Sequence, residues 1–426
     1  MNKNLLLNQW LWKWHVIAGL LTLPIVLLLT LTGIVYMYKQ NVNEYLYQEQ
    51  MFVSNTDGQR LSLEQQLRLA LNYNDKKING LVLPELNSET TAFKVAGKGR
   101  AANLIYVDPY TGDVKGTFEQ KQTFMYDIRK LHGELLLSKP GTLIVELVAS
   151  WFIVLLLTGL YVWWPNEKGG VKGFFLIRVG KGRRAFWRDL HAVLGFWLSI
   201  FLLIVIAGGM PWTDVFGSQL KWVQKHTETG YPKYWRSNKG LASTFEQKSI
   251  EQRMRLDDLV TLPVVSNLKG KITIQLPNSE RGVYTISNRT FYLEDQQVLH
   301  FDQYSGEVIK RLTWDDVGIL MDLRQVFMRL HQGQYGAFNW YALLLVSILF
   351  VISTVAGLVS YLRRKPAGQW AIPRVPKRFQ IDKLLVGLIV ILSLVFPMFG
   401  ISLVIISLVT WFKGVSWRSA NAESCN

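Results

Sequence analysis

The chain has 426 residues, 49% of them apolar and 13% aromatic, and carries a formal net charge of +16. It is too hydrophobic and too rich in tryptophan for an ordinary soluble domain. Nucleic acid is excluded as the reason for the charge, because the basic residues crowd into short loops between apolar runs. The only cysteine, Cys425, excludes disulfides and a cysteine-bound zinc or iron–sulfur site, and the lack of C-x-x-C-H excludes covalently attached c-type haem.

Five stretches reach spanning length, about 16 to 38, 141 to 164, 192 to 211, 339 to 362 and 384 to 412, each near or above the ~20 apolar residues that cross a bilayer. The first contains Pro24 and runs into Val35-Tyr36-Met37-Tyr38 without a small-residue cleavage site, so it reads as a retained helix and not a signal peptide. Residues 39–140 then form an α+β module, with an amphipathic helix expected near 62–71, strand-like alternation at 91–95 and a closing turn, Asp108-Pro109-Tyr110-Thr111-Gly112-Asp113-Val114. After the second apolar run (141–164) comes a basic loop, 165–191, with seven Lys or Arg residues. The third run (192–211) leads into a second α+β module, 212–338, which closes on Asp302-Gln303-Tyr304-Ser305-Gly306-Glu307-Val308. In both turns Asp starts the bend, Gly takes the positive φ and an acidic residue followed by Val resumes the strand. The fourth run (339–362) and a second loop of seven basic residues (363–383) precede the segment 384–426. Its Phe396-Pro397 centre leaves a kinked helix and a re-entrant hairpin both open. Short basic loops mark the cytoplasmic side, which puts the N-terminus inside and both modules outside, in the periplasm of a bacterium.

Histidines punctuate this order. His15 and His191 each open an apolar run and are followed by glycine at i+4 (Gly19, Gly195) and at i+18 (Gly33, Gly209), which share a helix face. His132 and His331 each follow a leucine shortly before another apolar run. The sequence therefore reads as a tandem duplication: a membrane α-helical bundle carrying two periplasmic α+β modules. Each half crosses twice, so the halves share one orientation and a pseudo-twofold along the membrane normal. Such an axis brings His15 to His191 at the inner edge and His132 to His331 at the outer edge.

The two turns resemble the PepSY module, and the alternation of His-x3-Gly helices with Leu-His helices resembles the PepSY-associated transmembrane proteins, the PiuB-like and FoxB-like siderophore reductases. The resemblance covers roughly residues 10 to 365. It implies an inner-membrane protein with two haem b groups that passes electrons outward to reduce a ferric siderophore. The flavin and nicotinamide domain that some relatives carry at the C-terminus has no counterpart in this sequence.

The residues suit that chemistry. Iron held by two imidazoles needs one neutral histidine on each face of the porphyrin, and a flat macrocycle needs flanking helices with little bulk. Gly19, Gly195, Gly33 and Gly209 would supply that space. Arg129, Lys130 and Arg329 beside the outer pair suit either haem propionates or snorkelling to the interface. His226 and His300 read as surface or strand residues. Gly97 to Ala102 and Gly180 to Ala185 fit G-x-G-x-x-A outside any βαβ unit, and so do not mark a dinucleotide site. Most aromatics at the outer helix ends read as interfacial or packing residues, with Trp212 and Tyr36 as candidates to line a ligand pocket. The electron donor would be quinol from the membrane or a cytoplasmic flavin reductase. A haem-free permease or sensor, with histidines relaying protons, is the competing reading.

Overall fold

The computed structural model describes residues 3–73, 75–97, 103–164, 171–244, 252–366, 368–370, 372–373 and 382–423. Residues 98–102 of the first glycine pattern, Lys168, Arg374, Lys377, Arg378 and Cys425 lie outside the described residues. Helix α1 (Lys3–Met37) is followed by the short α2 (Lys39–Leu46) and α3 (Gln48–Met51), then α4 (Leu63–Tyr73). Strands β1 (Ile78–Val82), β2 (Thr91–Val95), β3 (Asn103–Val107) and β4 (Val114–Glu119) lead to α5 (Phe124–Glu134) and α6 (Lys139–Trp163). The second half runs through the same kinds of element. It starts with α7 (Arg183–Gly209), α8 (Val215–His226), α9 (Leu256–Thr261) and α10 (Pro263–Ser266). Strands β5 (Lys271–Gln275), β6 (Val283–Arg289), β7 (Val298–Asp302) and β8 (Val308–Leu312) follow, then α11 (Ile319–His331) and α12 (Gly336–Arg364). Helices α13 (Lys383–Val395) and α14 (Pro397–Glu423) end the chain.

Two units result, one of Met1–Met37, Ile128–Trp222 and Arg324–Asn426, the other of Tyr38–Asp127 and Val223–Leu323. In the first, four helices are long and apolar enough to cross a membrane: Leu5–Met37, Lys139–Trp163, Arg183–Trp212 and Gly336–Arg364. They are apolar on nearly every face, as expected where lipid surrounds a bundle. Val26, Val148, Leu156, Leu198, Leu202, Val346 and Phe350 form its buried centre, with Phe152 5.2 Å from Phe350. The stretch 384–412 is two helices. A Cβ on Gly400 would lie 2.9 Å from the carbonyl oxygen of Ser393, whereas seven residues of straight helix would separate them by about 10 Å. Pro397 has no N–H to continue the ladder, and the chain bends sharply there. Trp151 on α6 fastens α14 by a hydrogen bond to Ser402 (3.0 Å) and an edge contact with Phe399.

The second unit is built on one antiparallel sheet of eight strands in the order β4-β3-β2-β1-β5-β6-β7-β8. The sequence suggests two separate α+β modules; the structure joins their strands into one sheet where β1 pairs with β5, Leu81 opposite Ile274. Each four-stranded set alone would expose an edge of unpaired N–H and C=O groups, and the junction satisfies one edge of each. The backbones approach so closely that a Cβ on Gly80 would lie 2.5 Å from the Ile274 carbonyl oxygen. One sheet face packs Leu81, Phe93, Ile105, Ile274, Ile286, Leu299 and Phe301 against Ala70 of α4 and Leu256, Leu259 and Val265 of α9 and α10. Helices α4 and α9 cap one another: Asp257 accepts the N–H groups of Leu63 and Glu64, and Glu64 accepts that of Leu256.

Both turns form as their residues dictate. Asp108 Oδ1 accepts the N–H groups of Tyr110 and Thr111, Asp302 Oδ1 accepts those of Tyr304 and Ser305, and Gly112 and Gly306 have φ of +79° and +73°. Burial pushes the Asp302 carboxyl up, but hydrogen bonds from Thr244, Tyr304 and Ser305 outweigh it and hold the group below the usual carboxylate range. The units are bounded differently from the modules 39–140 and 212–338, because residues 128–140, 212–222 and 324–338 group with the helix bundle.

Candidate functional site

The histidines fall in two facing pairs inside the helix bundle. His15 and His191 have ring centroids 6.3 Å apart with planes inclined by 58°, and His132 and His331 are 6.1 Å apart at 61°. Along α1, His15 and the Gly33 that touches His132 are 18 residues apart, about 27 Å of helix.

One local rule seats all four rings. His132 Nδ1 lies 2.9 Å from the Leu29 carbonyl, His191 Nδ1 2.9 Å from that of Ser353 and His331 Nδ1 2.7 Å from that of Val205. His15 makes the matching bond to the backbone of Leu155. In every case the residue four further along the accepting helix is a glycine: Gly33, Gly357, Gly209 and Gly159. A Cβ there would meet the ring, at 3.3 Å from His132, 2.9 Å from His191, 3.2 Å from His331 and 3.1 Å from His15. The glycine leaves the carbonyl one turn earlier uncovered, so that it accepts a side-chain N–H besides its helical bond.

These partners fix the tautomer. A carbonyl only accepts, so Nδ1 carries the proton and Nε2 keeps its lone pair. Hydroxyls reinforce the arrangement: Thr32 Oγ1 lies 3.1 Å from His132 Nδ1 and Thr158 Oγ1 3.1 Å from His15 Nδ1, while each threonine donates its own proton back to its helix. Ser353 Oγ lies 3.3 Å from His191 Nδ1 and donates across to the His191 carbonyl on α7. Burial, then the neighbouring His331, pushes His132 down to about 4, and burial also lowers His331. The His132 and His331 rings are therefore neutral at physiological pH.

Such a pair can grip one metal ion from opposite sides. A metal–imidazole bond is about 2 Å and the ring centroid lies roughly 1 Å behind the nitrogen, so centroids 6.3 and 6.1 Å apart would leave room for one ion between the rings of each pair. Among the described residues, no three His, Cys, Asp or Glu side chains cluster to hold a bare ion. Each pair offers two ligands, and the other positions around a metal would have to be filled by something the metal brings.

The remaining sequence candidates are placed as follows. Gly33 and Gly209 lie against histidine rings, whereas the nearest atom to a Cβ on Gly19 or Gly195 would be 3.9 Å away, on Leu155 and Ser353 respectively. Arg129 is 4.0 Å from Glu134, which also pairs with Lys130, and Arg329 is buried two residues before His331. Trp212 is half-exposed with the Arg324 guanidinium 4.8 Å over its ring, and Tyr36 is half-buried one turn beyond Gly33. His300 is buried in β7 with both ring nitrogens engaged, by Thr285 and the Tyr234 carbonyl. Tyr47 packs on Phe118, and Tyr231 stacks on Trp235.

Sequence reasoning missed Thr32, Thr158 and Ser353. The repeated Thr-Gly dipeptide, at Thr32-Gly33 and Thr158-Gly159, was the available signal. It also missed two buried carboxylates. Glu146 on α6 accepts the N–H groups of Val215 and Phe216 at 2.8 Å each and so caps α8. Asp189, two residues before His191, is held by Arg178 and Arg188, each at 2.7 Å.

No curated protein matches the chain. The family described as the PepSY-associated TM region matches it over residues 12–364, a stretch that holds all four histidines, their glycine seats and both Asp-Gly turns. With four apolar helices long enough to span a membrane, a separate antiparallel sheet and that match over most of its length, the chain belongs to the PepSY-associated transmembrane family.

Proposed function

We propose that the chain is an electron conduit of the inner membrane that binds two haem b groups and reduces an external ferric chelate of the siderophore class. The observation that carries this reading is the pair of facing imidazoles, twice, at centroid separations of 6.3 and 6.1 Å with Nδ1 tied to backbone. His15 with His191 would hold the inner haem and His132 with His331 the outer. A haem so held supplies one-electron transfer through its iron. The chain's own part is to present neutral Nε2 atoms, to fix the rings by the Nδ1 bonds and to keep water from the middle of the bundle with Val26, Leu198, Phe152 and Phe350.

The matched seats, the two like turns and the mirrored strand order support a tandem duplication, with the N-terminus and the basic loops cytoplasmic and the sheet unit periplasmic. Electrons would enter from quinol or a cytoplasmic flavin reductase at the His15 side, and one electron per iron would convert Fe(III) of the chelate to Fe(II). Hard oxygen donors hold Fe(II) far more loosely, which releases the metal. A proton relay fits less well: a relaying ring must pass a proton through both nitrogens, and here each Nδ1–H is held by an amide carbonyl, while the hydroxyls beside His15, His132 and His191 spend their own protons on backbone carbonyls.

The test is the absorption spectrum and haem content of the purified protein and four variants. Two haem equivalents with sharp reducible bands are expected. His15→Ala and His191→Ala should each lose the inner haem, and His132→Ala and His331→Ala the outer. A colourless protein, or any single variant retaining both equivalents, would overturn the ligand assignment. Failure of the reduced protein to pass electrons to ferric chelates, with quinone still accepting them, would remove the substrate assignment alone.

A further inference from the structure

The sheet has a second face, and its centre is polar. The strand register places Lys94, Gly80, Gln275 and Thr285 in one cross-strand row, with Thr273 and Ser287 in the row beside it. Gly80 has no side chain, so the row has a gap between Lys94 and Gln275. The register slips between Ile78 and Gly80, and this bulge brings Asn79 to the same hollow. The result is a cavity of ≈ 190 Å³ lined by Asn79, Gly80, Lys94, Thr273, Ile274, Gln275, Thr285 and Ser287.

None of these lining residues is acidic. Lys94 is half-buried and forms no ion pair with any described residue, and burial lowers its pKa from the usual lysine value. A half-buried ammonium with no acid beside it in the described lining can take its counter-charge from an anion in solution. The side chains of Asn79, Thr273, Gln275 and Ser287 make no hydrogen bond to any described residue either. Thr285 is different. His300 donates from Nε2 to the Tyr234 carbonyl, so its Nδ1 accepts the Thr285 hydroxyl proton, while Asn238 donates to the same oxygen. Thr285 is a fixed wall, and the other donors along the lining are one ammonium, two hydroxyls and the exposed amides of Asn79 and Gln275.

We propose that this hollow is a binding site for a small organic polycarboxylate. The charge follows from Lys94 and the absence of acids in the lining. The small size follows from a volume below the ~300–1,000 Å³ of pockets for drug-sized ligands. Several acceptors are required because Lys94 and Gln275 stand two strands apart, roughly 10 Å, too far for one compact oxyanion to satisfy both. The site lies wholly within the sheet unit, and the assignment is independent of the haem reading.

Citrate is the probe, titrated into the full-length protein by calorimetry, with triethyl citrate as a neutral analogue and inorganic phosphate as a compact anion. Citrate should bind, its ester should not, and Lys94→Met and Gln275→Ala should each weaken binding roughly tenfold or more. Lys310→Met, which alters the far end of the same cross-strand row, should leave it unchanged. On the unaltered protein, citrate should slow acetylation of Lys94, read by mass spectrometry, and leave Lys310 as reactive as before. No protection of Lys94, equal loss in the Lys310 variant, or phosphate binding as tight as citrate would each overturn the assignment.

Discussion

Replacing Gly357 with alanine isolates the seat of one histidine. The added Cβ would stand 2.9 Å from His191 Nδ1, 3.1 Å from Cε1 and 3.2 Å from Cγ, inside the ~3.5–4.0 Å of an optimal carbon contact. The ring must therefore retreat by about half an ångström, which carries the 2.9 Å bond from Nδ1 to the Ser353 carbonyl beyond the ~3.2 Å limit of a good hydrogen bond. Losing that bond costs ~1 kcal/mol, and forcing a methyl into a packed site costs ~1–3 kcal/mol more. Alanine returns ~1 kcal/mol through its better helix propensity. A net loss of ~1–3 kcal/mol should weaken inner haem binding about 5- to 150-fold. Gly33→Ala, where the closest approach to His132 is 3.3 Å, should cost much less, and Gly195→Ala, with 3.9 Å to Ser353 Oγ, should cost nothing by contact. The assay is the rate of haem loss to an excess of a haem-scavenging protein, followed by absorbance. If Gly357→Ala holds its inner haem as firmly as Gly195→Ala, the glycines do not seat the histidines.

Other expectations follow from the same geometry. Thr32→Val and Thr158→Val each remove a hydroxyl acceptor from the Nδ1–H of a proposed haem ligand, which would make the imidazole a poorer donor. At ~0.5–1.5 kcal/mol per hydrogen bond and ~59 mV per 1.4 kcal/mol for one electron, redox titration should show the midpoint of the affected haem rising by roughly 20–60 mV; a fall or no change would contradict the role. His300 has its pKa lowered by burial. Its contribution is therefore present above the unfolded value near 6.5 and is lost as pH falls toward the folded one. Melting of the sheet unit should drop between pH 7.5 and 5, and His300→Gln should flatten that slope, whereas equal slopes would acquit the residue. Reporter fusions at Asp108 and Lys181 should report opposite sides of the membrane, and agreement between them would refute the duplication with parallel halves.

What the sequence determined by itself is what nearest neighbours and period decide. Apolar runs of spanning length fixed the class and four of the helices, and loop charge set the expected orientation. Asp108 and Asp302 with Gly112 and Gly306 fixed the turns, because an Asx bend followed by a positive φ is settled within seven residues. The histidines were legible as a set for the same reason: His15 and His191 stand at a fixed local spacing from glycines, and His132 and His331 each follow a leucine shortly before an apolar run.

Only the tertiary structure decided which glycine serves which histidine. His15 rests on Gly159 and His132 on Gly33, partners about a hundred or more residues apart, and the rotation of each helix about its axis selects the contact. The i+4 glycines, Gly19 and Gly195, share a helix face with the i+18 glycines, but helical period reports a shared face and not what that face meets. The joining of β1 to β5, and with it the hollow around Lys94, was hidden likewise: strand alternation tells inward from outward, while edge pairing depends on two strands 191 positions or more apart finding each other. The bend at Phe396-Pro397 was legible as a break, yet its sharpness came from Gly400 closing on Ser393, a contact that proline permits and does not by itself dictate.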